Sequence, residues 1–370
     1  MTTTFLLRRA AIGAALTSAL AGCGSDSNGS STTTTPVATS ASIDGIVQPQ
    51  VHDGTVRLEN CGKQIELPAP AERVFANDGN IISIALAVGA APQLAAVSSV
   101  QRDKPVLARH FGADAVDGLK DVSKEYPSKE TVIAQRPDVF FAGWNYGYDE
   151  ATGLTPAGLA KHGIDTYTLT ESCRQGKGSA RGITDPWTAL RTDLVNVGAF
   201  TGHSAEATKA VEELDTRLDA LKAAPQPTKK PVVFLFDSGT KTIYSSGRLG
   251  APQAIIDAAG GRNAMEGLKD TWTEVSWEQL TRAKPDAFVF VDYPPQTFEQ
   301  KVALLRRRAG VKTLPAVKQG RFLDLPYAHW TSGPLNVDAA EQLRAALERW
   351  KLVPASGITP KFDDAIALER

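Results

Sequence analysis

Two stretches decide the fold: Ser128-Lys129-Glu130-Thr131-Val132-Ile133-Ala134-Gln135-Arg136-Pro137-Asp138 and Ser276-Trp277-Glu278-Gln279-Leu280-Thr281-Arg282-Ala283-Lys284-Pro285-Asp286. Each opens Ser-x-Glu, and in each six residues separate the Glu from a Pro-Asp pair. Ser suits a helix N-cap because its hydroxyl accepts from a first-turn N–H that has no other partner. The Glu then lies in the first turn, where the helix dipole favours an anion. Both blocks are therefore predicted to be short helices. Each Pro-Asp leads into an unbroken apolar run, Val139 to Ala142 and Ala287 to Val291, which reads as a parallel strand buried on both faces.

The repeat extends outward from these blocks. Upstream, Arg73 to Ala76 predicts a strand followed by a helix from Asn80 to Val88 that stops at Gly89. Its counterpart is the strand Val232 to Phe236, a short hairpin around Thr242 to Ser246, and a helix from Ala251 to Ala259 that stops at Gly260-Gly261. Downstream, Asp165 to Leu169 matches Arg321 to Leu325 as each half's later strand. Strands alternating with helices, twice over, imply two doubly wound α/β lobes. Between them, Asp185 to Leu221 holds no proline after Pro186, and Leu190, Leu194, Val197, Val211, Leu214 and Leu218 recur at helical spacing. One helical connector is expected, broken near Gly198 or Gly202 and ended by Pro225-Gln226-Pro227.

The whole chain has 370 residues, 40 basic and 41 acidic side chains, and 42% hydrophobic residues. That is ordinary globular composition, and the length suggests two domains. Near-neutrality argues against nucleic acid, whose phosphates demand an excess of Lys and Arg. No apolar run reaches the roughly 18–20 residues that span a bilayer, which excludes an integral channel.

The first residues read as an export signal: Arg8 and Arg9, then an uncharged, mostly apolar run from Ala10 to Ala21. The run ends Leu20-Ala21-Gly22-Cys23, which resembles the bacterial lipobox, in which the Cys is lipidated and begins the mature chain. An ordinary secretory signal with an incidental Cys is the alternative, and the Arg pair leaves the export route open. Residues 23–50 are too poor in apolar groups to offset chain entropy and are expected to form a disordered tether. Loss of residues 1–22 removes two Arg and leaves 38 basic against 41 acidic side chains. With Cys23 used for lipid, Cys61 and Cys173 remain, and an even remainder in an oxidising compartment favours a disulfide over two free thiols. The predicted organisation is a signal (1–22), a lipidated tether (23–50), a first lobe (51–184), a connecting helix (185–224), a second lobe (225–352) and a tail (353–370).

Taken together, the lipobox, the Ser/Thr-rich tether, the two lobes and the paired Glu-x6-Pro-Asp blocks resemble the substrate-binding proteins of ABC importers. The subgroup resembled is the helical-backbone type that serves ferric siderophores, haem and vitamin B12, and the likeness covers roughly residues 60–350. It implies two α/β lobes joined by one long helix, with the ligand cleft between them. It also implies a monomer without cofactor or catalysis that delivers cargo to a permease dimer. Glu130 and Glu278 fall on the positions that this family offers to arginine pockets of the permease. Two symmetric partners call for two symmetric charges. Capping of its own helix is the plainer role for each Glu.

Cargo is expected outside the carboxyl ends of the strands. The residues there are Asn77, Asp78, Arg102, Trp144, Tyr146, Tyr148, Glu171 and Arg174 from the first lobe. From the second come Arg248, Tyr293, Tyr327, His329 and Trp330, with Trp272 just ahead of the second repeat block. Aromatics with a few Arg suit a large organic ligand, flat or anionic. Some of these aromatics only pack loop against lobe in the alternative reading. A ferric siderophore or similar iron chelate is the expected cargo, with cobalamin, haem or another organic cofactor as alternatives on the same fold. His52, His110, His162, His203 and His329 show no pair at ligand spacing, so no metal site is assigned; convergence of His110, His329 and acids in space stays open. The sequence holds no Gly-x-Ser-x-Gly, no Walker Gly-Lys-Ser/Thr and no His-Glu-x-x-His. A membrane-tethered envelope hydrolase or a sensor lipoprotein is the alternative from a different class.

Overall fold

The computed structural model describes residues 45–368. The predicted export signal, Cys23 and most of the tether lie outside the described residues. The chain enters through an antiparallel meander, β1 (Gln50–His52), β2 (Thr55–Asn60) and β3 (Lys63–Pro68). The first lobe then supplies β4 (Val74–Asn77), β5 (Leu94–Ser98), β6 (Asp121–Ser123), β7 (Val139–Trp144), the short β8 (Gly147–Tyr148) and β9 (Asp165–Thr168). These form a parallel sheet ordered β6-β5-β4-β7-β9, with β8 paired to the end of β7. The second lobe contributes β10 (Val232–Phe236), β11 (Ile243–Ser246), β12 (Arg262–Asn263), β13 (Trp272–Val275), β14 (Ala287–Asp292) and β15 (Phe322–Pro326). Here the order is β12-β10-β14-β15, closed by an antiparallel β16 (Ala367–Leu368) from the tail, while β11 and β13 form a separate hairpin pair.

Strand order reverses beside the first strand of each lobe, between β4 and β7 and between β10 and β14. These are the switch points outside which open α/β sheets bind ligands. The apolar runs of the central strands are buried throughout, as their lack of alternation predicts, and only Trp144 at the end of β7 and Asp292 at the end of β14 are less so. Phe75, Phe140 and Tyr148 pack one face of the first sheet, and Phe234, Phe236, Phe288, Phe290 and Phe322 pack one face of the second. The opposite faces share a continuous core that runs through the connecting helices.

The two repeat blocks are built alike. Ser128 caps helix Lys129–Gln135 and Ser276 caps helix Trp277–Ala283, the latter with a full capping box through Gln279. Both end on a left-handed residue, Arg136 and Lys284. The Asp of each Pro-Asp pins the lobe's first strand. Asp138 Oδ2 accepts from the N–H groups of Glu72 (3.0 Å) and Arg73 (2.9 Å), and Asp286 Oδ2 accepts from that of Val232 (2.8 Å).

The connector differs from one long helix. It breaks at Gly202, whose φ of 80° an L side chain would resist, and the break is a reversal. Helix Pro186–Thr201 folds back on helix Ser204–Ala223, so that Arg191 pairs with Asp215 and Gly198 lies flush against Ala207. The first of these helices belongs to the first lobe, because its buried Asp193 takes hydrogen bonds from Tyr167 (2.7 Å) and Thr170. The 20-residue second helix makes the crossing. Cys61 and Cys173 are disulfide-bonded, with Cα atoms 5.2 Å apart. No helix among the described residues is long and apolar enough to cross a membrane.

Candidate functional site

Asp78 stands at the first switch point, immediately after β4. Its backbone lies at φ 81°, ψ 145°, a conformation almost reserved for glycine, and its side chain is fully buried. Four donors converge on its carboxylate: Arg102 Nη2 (2.9 Å), Tyr126 Oη (2.8 Å), Tyr327 Oη (3.0 Å) and the Gly79 N–H (3.0 Å). Tyr327 follows β15, so this contact joins the lobes. Arg102 also lies 4.7 Å from the ring centroids of both Tyr293 and Tyr327, at cation–π distance. The two tyrosines pack on each other at 5.0 Å. The cluster is thus an arginine held between two second-lobe rings and anchored on a first-lobe carboxylate.

Electrostatics explain why it closes. Burial raises the pKa of Asp78, and Arg102 with the two tyrosine hydroxyls opposes that rise. Burial also works against the charge of Arg102, but Asp78 and Asp103 together hold it firmly protonated. Asp103, one residue further on, is buried, and desolvation and then its neighbour Asp78 push its pKa up to about 7. A second bridge lies alongside. Arg181 donates to the carbonyls of Trp144 (3.3 Å) and Trp272 (2.8 Å), and the Ser332 N–H donates to buried Glu171 (3.1 Å). A cavity of about 640 Å³ in the second lobe, lined by Ser238, Gly239, Thr240, Gln296, Gln300 and Arg307, touches none of the cluster residues.

The structure brings Arg102, Tyr293 and Tyr327 together as the strand-end reading expects. Asn77 and Tyr146 lie just beneath, with Asn77 Nδ2 donating to the Tyr146 carbonyl (2.9 Å). Trp272 sits at the second bridge, stacked on Tyr244. Other expected residues point elsewhere. Trp144 and Arg174 do meet, with the guanidinium 3.5 Å from the ring centroid, but they line a separate cavity beside Asn60, Cys61 and Lys63. Tyr148 packs against Phe140 in the first lobe's core. Arg248 is exposed on a loop. Trp330 is fully buried and donates to the Phe290 carbonyl, because the chain after Tyr327 turns inward through a single 3₁₀ turn. The same turn buries His329 away from the cleft.

Asp78 was expected only as a strand-end residue beside Asn77, and Tyr126, Asp103 and Arg181 were not among the expected site residues. The left-handed backbone of Asp78 leaves no trace in sequence, and Tyr126 sits in a loop that only the fold brings to β4. Glu130 and Glu278 are both exposed, each the second residue of its capped helix. First-turn backbone N–H groups and the capping serines hold both carboxyls below the usual range, so both are charged at neutral pH.

His110 and His329, far apart in sequence, converge on Asp364 in the tail. Their Nε2 atoms lie 2.7 and 3.1 Å from the same Asp364 oxygen. This is the spatial convergence the sequence left open.

The family model described as "Periplasmic binding protein" matches residues 74–328. A vitamin B12-binding protein from Yersinia pestis (strain Pestoides F) is 25% identical over 231 residues, covering 61% of this chain and 71% of the relative. A periplasmic binding protein from Veillonella parvula superposes with a TM-score of 0.66 at 19% identity, covering 81% of this chain and 96% of that one. An ABC-type Fe3+-hydroxamate transport system protein from Saccharomonospora viridis gives 0.66 at 19% identity, covering 79% and 98%.

Proposed function

This chain belongs to the periplasmic binding protein family, and we propose that it captures a ferric siderophore or similar iron chelate and hands it to an ABC permease. The family is extracytoplasmic and binds its ligands on behalf of such permeases. The cluster of Arg102, Tyr126, Tyr293 and Tyr327 around Asp78 carries the reading, because it spans both lobes at the switch points and offers rings and a guanidinium to an organic ligand. Its charges are largely balanced: Arg102 is matched by Asp78, and Arg181 lies near Glu171. A cargo of low net charge, such as a ferric hydroxamate, suits that balance better than a strongly anionic one. A solved neighbour named for Fe3+-hydroxamate transport supports the same choice, while the curated relatives named for vitamin B12 keep cobalamin as the competitor. Exposed Glu130 and Glu278 are the proposed contacts to the permease, and Cys23 the proposed lipid attachment to the membrane.

Calorimetric titration with ferric hydroxamates, ferric catecholates, haem and cobalamin tests the cargo. Sub-micromolar binding of one ferric chelate, weakened at least tenfold in Arg102→Met, is expected. Tight binding of cobalamin alone overturns the iron assignment, and silence across the panel overturns the chelate reading altogether.

A further inference from the structure

We infer that His110, His329 and Asp364 form a binding site for a divalent transition metal of the zinc class, separate from the cargo cleft. The three donor atoms lie within 4.8 Å of one another. Two imidazole nitrogens and one carboxylate oxygen are a donor set that zinc, cobalt and nickel share, and three protein ligands leave a fourth position for solvent. All three side chains are buried or nearly so: His110 is 4% exposed, His329 and Asp364 0%. Around Asp364 and His110 the surroundings match what metal ligands require of their neighbours, while Nδ1 of His329 is buried without a hydrogen-bond partner. The other oxygen of Asp364 accepts from Arg109 Nε (2.9 Å) and Nη2 (2.7 Å), which fixes the carboxylate. The other ring nitrogen of His110 faces the Asp338 carboxylate at 3.7 Å, and Asp338 is itself held by Arg217. A carboxylate behind a ligating histidine sets its tautomer and raises its basicity. A cavity of about 360 Å³ borders the His110 side of the cluster, where Asp338, Arg217, Lys361 and Phe362 also line it.

The three ligands come from three places: the first lobe, the second lobe and the C-terminal tail. A bound ion therefore ties the tail across the base of both lobes. It also reaches the cleft, since His329 shares its 3₁₀ turn with Tyr327, whose hydroxyl meets Asp78. On binding, Nε2 of each imidazole gives its lone pair to the metal: a neutral ring keeps its single proton, now on Nδ1 and, in His110, facing Asp338, and only a ring that was imidazolium releases a proton to solvent.

The experiment is titration of the untagged full chain in detergent, after chelator dialysis, with Zn2+ by calorimetry and with Co2+ by visible absorption. One ion per chain, a tetrahedral Co2+ spectrum and a sub-micromolar Zn2+ Kd are expected. His110→Gln should weaken binding at least 100-fold. Asp338→Asn, a positioning variant that keeps all three ligands, should weaken it about 10- to 100-fold. Circular dichroism establishes that each variant is folded. Absence of a Co2+ spectrum in the wild-type chain, or a bound ion that His110→Gln and His329→Gln leave untouched, overturns the site and leaves the two histidines as hydrogen-bond donors to the tail only.

Discussion

Replacing both bridged cysteines, Cys61→Ala with Cys173→Ala, tests how the first lobe is held together. The disulfide closes a loop with a sequence separation of 112. In the chain-entropy model that loop removes about 16 cal/mol/K from the unfolded chain, or about 4.8 kcal/mol at 25 °C. The folded geometry should survive the change. Cys61 and Gly62 form a two-residue turn between β2 and β3, with φ of 52° and 71° and with Asn60 paired to Lys63. Asn60, beside the bridge, donates to the Thr168 carbonyl (2.7 Å) and accepts from the Thr168 N–H (2.9 Å). Asn196 also donates to the Glu59 carbonyl (3.1 Å). These bonds hold the hairpin against the lobe without sulfur. Alanine in the left-handed position costs what cysteine costs there, so that cost cancels; asparagine would relieve it and mask the effect.

The loss should therefore arise in the unfolded state. Urea denaturation followed by far-UV circular dichroism should show a stability loss of about 3–5 kcal/mol and a larger m-value, because the uncrosslinked unfolded chain exposes more surface. Cargo affinity should stay within about twofold, since the bridge lies beside the Trp144–Arg174 cavity and not at the Arg102 cluster. A loss under about 1 kcal/mol with unchanged m would refute the chain-entropy reasoning. A large fall in cargo affinity would show instead that the bridge shapes the cleft.

Three further predictions concern the site. Glu130→Lys with Glu278→Lys should abolish permease-dependent uptake while leaving cargo affinity within about twofold; an affinity loss of tenfold or more would place these residues in the cleft. Tyr327→Phe removes one hydrogen bond to a buried carboxylate, worth about 1.5–3 kcal/mol, and Tyr126→Phe should cost less because residue 126 is 39% exposed. A double-mutant cycle of Tyr327→Phe with Asp78→Asn should show coupling above about 1 kcal/mol, and strict additivity would deny the contact. Asp103 has its carboxyl pushed up to about 7 by burial and by Asp78, with Arg102 opposing and Asp292 adding to the rise. A carboxyl raised on folding contributes stability fully below its unfolded pKa near 4 and loses it as pH rises toward 7. Unfolding free energies of Asp103→Asn should therefore fall less steeply than those of wild type between pH 4 and 8, by up to about 4 kcal/mol, and parallel profiles would remove Asp103 as the cause.

The strands and the two lobes were legible because the information is local. Val139 to Ala142 and Ala287 to Val291 are buried on both faces, and burial on both faces writes an unbroken apolar run into the sequence. The Pro-Asp repeat was legible as a spacing, although its reason, a carboxylate pinning the neighbouring strand, needed coordinates. Val56 and Leu58 alternate with exposed Arg57 and Glu59 in β2, a period-2 signal for a half-buried strand that was present but passed over. The cleft was legible only to the last residue of each strand. Tyr293 and Tyr327 sit where β14 and β15 end, but whether the chain then runs on or turns inward depends on a few backbone angles. That choice sent His329 and Trp330 into the interior. The meeting of His110 with Asp364 spans 254 positions, and nothing short of the assembled fold brings them together.

The same fold accounts for how cargo can enter a cleft that is closed by its own side chains. The base of the molecule resists movement, since one apolar core passes from the first lobe through the crossing helix into the second. Arg217 on that helix binds both Asp338 and Glu341 of the closing helix Asn336–Arg349. Opening the lobes there would expose that core and strand an arginine from its carboxylates, at a cost of several kcal/mol. The rim is held differently, by polar contacts that water or a ligand can replace. Arg102 remains partly exposed, and the rings of Tyr126 and Tyr293 border solvent. In the proposed function a ligand with oxygen acceptors and flat faces takes over the guanidinium and the rings without disturbing the base, so the energetic balance places the moving parts at the carboxyl ends of the strands and leaves the faces that carry Glu130 and Glu278 in a fixed relation.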